Sequence, residues 1–161
     1  MLRFLPLSLL TALLGLSGCS SLSPYSDTTK LDLSLTGSEK LNPDINGRPS
    51  PIVLRLIELK HPVSFENADF FSLYQRPKEA LSPDLVTFEE LELRPGESRE
   101  LKLSVQDGSR YVGVLAAYRD LPESSWRYVI ALQPQELNKV ELNLDALGIK
   151  AVDTSETEAK P

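Results

Sequence analysis

The chain has 161 residues, 41% of them hydrophobic and 25% charged, and carries a formal net charge of −6. That length supports one domain around one core. An acidic chain with no long Lys/Arg cluster argues against nucleic-acid binding and against electrostatic docking on anionic lipid head groups. Cys19 is the single cysteine, so no disulfide can form within the chain and packing must hold the fold.

The first 18 residues have the three parts of a secretory signal. Arg3 supplies the positive start, and residues 4–16 are almost wholly apolar. About 13 residues are too few for a membrane span, which needs roughly 20, and suit a signal core. Leu16, Ser17, Gly18 and Cys19 then read as a lipobox: an apolar residue, two small ones that let a peptidase reach the backbone, and a thiol to take a diacylglyceryl group. Each buried CH₂ contributes about 0.8 kcal/mol, so two or three acyl chains anchor a protein almost permanently. The mature chain is expected to begin at Cys19, with 143 residues and a net charge of −7 once Arg3 is gone. Ser20, where an aspartate would retain a lipoprotein in the inner membrane of Gram-negative cells, favours the outer membrane.

Residues 19–29 are polar and broken by proline, and read as a lipid-proximal tether; about ten extended residues reach roughly 33–36 Å. Residues 30–150 read as the folded domain. Leu31, Leu33 and Leu35 alternate with polar neighbours, as do Leu101, Leu103 and Val105, and Val140, Leu142 and Leu144. This period of two marks strands with one wet face. Residues 52–59 and 111–118 are apolar on both parities and read as covered, central strands. Residues 86–93 and 126–132 complete a set of seven or eight. Arg94-Pro95-Gly96-Glu97 suits a type II turn, and Asp107-Gly108 a hairpin turn. One helical piece is expected over residues 64–74, capped by Ser64, with Phe65, Ala68, Phe71 and Leu73 as its apolar side. Short strands with turn signals and little helix indicate an all-β, two-sheet antiparallel sandwich. Residues 151–161 read as a disordered acidic tail.

Little in the chain suggests chemistry. His61 is the lone histidine, and no nucleophile elbow accompanies it. With no second histidine, no free thiol and no calcium-loop spacing, no metal site is expected, and no phosphate loop or other cofactor motif is present. Glu89 and Glu90 read as a solvated face. Two segments stand out instead. The loop of residues 38–51 is long, and three prolines with Asn46-Gly47 stiffen it. A stiff loop loses less entropy on binding, although such a segment also serves simply to cross between sheets. Residues 119–127 bring Arg119, Asp120, Trp126 and Arg127, types enriched at interface hot spots, but Trp126 also suits a core. A sandwich with so many apolar strand residues could alternatively enclose a small-ligand cavity, although close packing accounts for them equally well.

Several motifs resemble one family. The lipobox is followed by N-P-D-x-x-G-R-P-S-P from Asn42 to Pro51, V-x-R-L from Val53 and F-x-x-A-D-F-x-x-L-Y from Phe65. L-x-P-G-E follows from Leu93, Y-x-G-V-x-A-A-Y-R-D from Tyr111, and then Trp126-Arg127. In this order they resemble the TssJ (VasD/SciN-like) lipoproteins of the type VI secretion system, across nearly the whole mature domain. The resemblance implies a transthyretin-like sandwich with a small helical addition and no enzymatic activity. It implies an outer-membrane protein facing the periplasm that binds the periplasmic C-terminal domain of the inner-membrane protein TssM, and through it TssL indirectly. It also implies that the loop after the first strand contributes to that contact, here Asn42, Pro43, Asp44, Asn46, Gly47, Arg48 and Pro49, with no small-molecule substrate and no nucleic acid.

Overall fold

The computed structural model describes residues 28–152. The signal, Cys19, most of the tether and nearly all of the tail lie outside the described residues. Alternating leucines form β1 (Lys30–Gly37), and the continuous apolar run forms β2 (Ile52–Leu59). Three short helices follow: α1 (Val63–Asn67), α2 (Phe70–Gln75) and α3 (Pro77–Leu81). Then come β3 (Leu85–Leu93), β4 (Ser98–Ser104), β5 (Tyr111–Ala116), β6 (Arg127–Ala131), β7 (Leu137–Leu144) and β8 (Ile149–Ala151). One sheet has the order β4-β1-β7-β8, and the other β3-β2-β5-β6.

The two-sheet sandwich is as expected, and β2 and β5 are the inner strands of their sheet. Their double-sided apolar pattern follows from cover on both faces. Ile52, Leu54, Leu56, Val112 and Val114 point to the other sheet and meet Leu31, Leu33 and Leu35. Ile57, Leu59 and Leu115 face the helices and pack on Phe65, Phe70, Leu73 and Leu81. Gly113 makes the closest helix contact possible: a Cβ there would lie 2.9 Å from the Phe65 ring. The Arg94–Glu97 turn forms as predicted, with Gly96 at φ +73° and Glu97 N donating to Arg94 O at 3.0 Å.

Four local expectations need correction. The sandwich is not antiparallel throughout, because β1 and β7 run parallel, from Lys30 opposite Leu137 to Gly37 opposite Leu144. The chain leaves β6 in one sheet and crosses to the other beside Thr29 and Lys30, so it enters β7 in the direction of β1. The helical piece is also not continuous. Ala68 is extended, and the Asp69 carboxylate accepts from Ser72 N to start α2 anew. That break resets the helical phase, so Phe70 is buried while Phe71, expected inside, is 59% exposed. Ser64 caps nothing; its hydroxyl donates to Asp84 Oδ2 at 3.0 Å.

Registers fix which loops share an end. Thr29, the β4–β5 turn and the β6–β7 crossing lie at one pole. The β1–β2, β3–β4, β5–β6 and β7–β8 connections gather at the other, with Gly37 N bonded to Glu97 O and Ser38 N to Leu144 O.

Candidate functional site

The loop between β1 and β2 is built around two side chains. Leu41 is fully buried and plugs the sandwich, while Ser50 N donates back to Leu41 O at 3.0 Å. Asn42, buried and in the left-handed region at φ +44°, directs its amide nitrogen to Pro51 O at 2.9 Å. Its Oδ1 accepts from Arg119 N, also at 2.9 Å. Both halves of the amide are therefore used, one to close its own loop and one to bind the β5–β6 loop.

Beyond Asn42 the tip closes on Asp44. Its Oδ1 accepts from Asn46 N and Arg48 N at 2.8 and 2.9 Å, and its Oδ2 pairs with the Arg48 guanidinium at 2.8 Å. Hydrogen bonds from Arg48, backbone first and then side chain, hold the Asp44 carboxyl below its ordinary value of 3.8. Gly47, at φ +75°, supplies the left-handed step and donates to Asp44 O. Pro43 and Pro49 flank this ring, and Ile45 projects from it fully exposed. The stiffness expected from the prolines is thus reinforced by an aspartate-centred hydrogen-bond ring.

A cleft of about 440 Å³ lies between this loop and its neighbours. Residues 42–45 form one wall, Arg119, Asp120 and Glu123 a second, and Ala146 with Leu147 a third. Tyr118 also lines it; its side chain is buried, and its hydroxyl has no hydrogen-bond partner among the described residues. Burial, and then the Asp145 carboxylate, raise that hydroxyl above its ordinary pKa. Asp145 shapes the third wall by accepting from Leu147 N at 2.7 Å, Gly148 N at 3.1 Å and Lys150 Nζ at 2.7 Å.

The second segment singled out in the sequence divides. Arg119 and Asp120 join the cleft. Trp126 and Arg127 turn towards the helices: the Trp126 ring meets Phe70 edge-on at 5.3 Å, and the Arg127 guanidinium lies 4.0 Å above the indole. Arg127 Nη1 donates to Phe65 O, Glu66 O and Ala68 O at 2.7–2.9 Å, satisfying carbonyls at the end of α1. Their contacts are structural. His61 is exposed after β2, and its imidazole makes no hydrogen bond or ion pair with the described residues. Among the described residues no three His, Cys, Asp or Glu side chains gather as a metal site. Ile45, Tyr118, Glu123 and Leu147 were not singled out from sequence. Ile45 and Leu147 carried a signal, as lone large apolar residues between turn-forming neighbours.

The family model for type VI secretion lipoproteins, described as VasD, EvfM and TssJ, matches residues 29–147. The chain belongs to the type VI secretion lipoprotein family. It is similar to the crystal structure of the lipoprotein TssJ1 from Pseudomonas aeruginosa, with 36% identity and a TM-score of 0.75 over 78% of this chain and 95% of that one. Serratia marcescens Lip, a membrane-bound component of the type VI secretion system, shares the fold at 24% identity and a TM-score of 0.72, over 78% and 98% of the two chains. A chain of a type VI membrane complex matches at 25% identity and a TM-score of 0.68, over 77% and 98%. No curated protein matches. Family membership agrees with the motifs quoted from Asn42 to Arg127, and the lipoproteins are not an enzyme family.

Proposed function

We propose that this chain is held by lipid on Cys19 in the outer membrane, facing the periplasm, and binds the periplasmic C-terminal domain of TssM. It would thereby fix a complex containing TssM and TssL to the outer membrane. The single observation that carries the reading is the Asn42–Arg119 bond, which joins the stiff β1–β2 loop and the β5–β6 loop into one surface. Preformed surfaces bind with little ordering cost. The lipobox at Leu16 to Cys19, Ser20 after it and the family membership support the anchored half. The likeness to a chain of a type VI membrane complex supports the assembly half.

Two experiments test this. Replacing residues 42–48 with a Gly/Ser linker should weaken binding to the TssM domain at least tenfold while the fold persists; an unchanged dissociation constant would move the site elsewhere. Cys19→Ser in chromosomal single copy should release the protein from membranes and stop secretion, whereas normal secretion would refute the anchor.

A further inference from the structure

The cleft at the partner pole carries an unbalanced set of groups. Asp44 is neutralised by Arg48, and Arg119 lies close enough to Asp44 to add to that balance. Asp120 and Glu123 have no such cation: their carboxylates make no hydrogen bond or ion pair among the described residues. Two exposed aliphatic side chains, Ile45 and Leu147, line the same cleft. Tyr118 lines it too, and its buried hydroxyl lacks a partner among the described residues. Buried polar atoms are nearly always bonded, so an orphan hydroxyl in the lining of a cleft marks a place for a partner's polar group. The whole chain is acidic, at −6, which steers basic surfaces towards it.

We propose that this cleft receives a lysine or arginine side chain of the bound protein, its cationic head between Asp120 and Glu123 and its aliphatic stem between Ile45 and Leu147. A long basic side chain has both parts, an apolar stem that covers hydrocarbon and a head rich in N–H donors. The head's donors satisfy the two carboxylates and offer a bond to the Tyr118 oxygen. Arg119 remains at the rim beside Asp44 and excludes a basic residue from that wall, so the head enters from the Glu123 side.

The inference rests on the proposed function, and the test separates the two. Binding of the cognate TssM periplasmic C-terminal domain is measured by calorimetry with wild type, D120N/E123Q and L147S. All altered residues are exposed, and thermal melting checks that the variants stay folded. The carboxamide pair should weaken binding roughly ten- to a hundredfold and flatten its salt dependence between 50 and 300 mM NaCl. L147S should weaken it severalfold with the salt dependence retained. Wild-type binding that ignores the two carboxylates, or tightens without them, overturns the inference and leaves the proposed function standing. No wild-type binding at all overturns both.

Discussion

Asn42 Oδ1 and the Arg119 amide meet at 2.9 Å across the pole of the sandwich, from loops 77 positions apart in the chain. This bond turns two separate loops into one wall. Asn42→Ala would orphan Arg119 N–H and Pro51 C=O and leave alanine in a left-handed conformation that asparagine tolerates better. The expected cost is about 2–4 kcal/mol by urea denaturation. Asn42→Asp keeps the acceptor for Arg119 but sets a carboxylate oxygen against Pro51 O in place of the donor, so it should also be destabilised. Wild-type stability in Asn42→Asp would mean that the Pro51 bond contributes nothing.

Gly113 leaves room for Phe65 and for nothing more. Gly113→Ala places a methyl 2.9 Å from the ring, so the aromatic must move or the strand must bend. Overpacking of this kind costs about 1–3 kcal/mol. Phe65→Leu should relieve part of that penalty, giving a positive coupling in a double-mutant cycle. Strict additivity would show that Gly113 is there for another reason.

Arg127 holds the end of α1 with one nitrogen and stacks on Trp126 with its plane. Arg127→Ala is expected to lose roughly 2–4 kcal/mol and to open residues 63–81 to protease. Arg127→Lys keeps the charge but not the planar fork, and should recover only part of that loss. Full recovery by lysine would make charge, not geometry, the operative property.

The Asp44 ring has a defined pH dependence. Its hydrogen bonds from Arg48 favour the carboxylate, so the folded pKa lies below 3.8. The ring is complete above that value and is lost as pH falls through the lower folded one. Amide resonances of Asn46 and Arg48 should titrate together with a midpoint under 3.8 and should stop titrating in Asp44→Asn. A midpoint at or above the ordinary value would contradict the ring.

Much of the fold could be read from short-range pattern. Leu31, Leu33 and Leu35 announce β1 because a strand with one wet face must alternate. The runs in β2 and β5 announce cover on both faces, although the second cover is helices. The failures lie where distant contacts decide. Nothing near Lys30 says that β7 will lie beside it in parallel, and the Asn42–Arg119 bond joins segments that no local pattern relates. The split between α1 and α2 was locally encoded, since Asp69 precedes Ser72 at capping distance, but a single helix over residues 64–74 satisfied the apolar count almost as well. One residue of phase then exchanged Phe70 for Phe71.

The first strand lies in the interior of its sheet. β1 is paired with β4 from Lys30 to Thr36 and with β7 from Lys30 to Gly37. The chain enters it at the pole opposite the cleft. If the proposed function holds, tension between the N-terminus and a partner on residues 42–48 would therefore run lengthwise along β1. Backbone hydrogen bonds on both sides would be loaded in shear, all together, instead of being peeled one at a time. Single-molecule pulling between residue 28 and the β1–β2 loop should give a higher rupture force than pulling on the short edge strand β8 from residue 152. On that geometry the sandwich would resist stretch along one axis, the property that the proposed anchoring would call on.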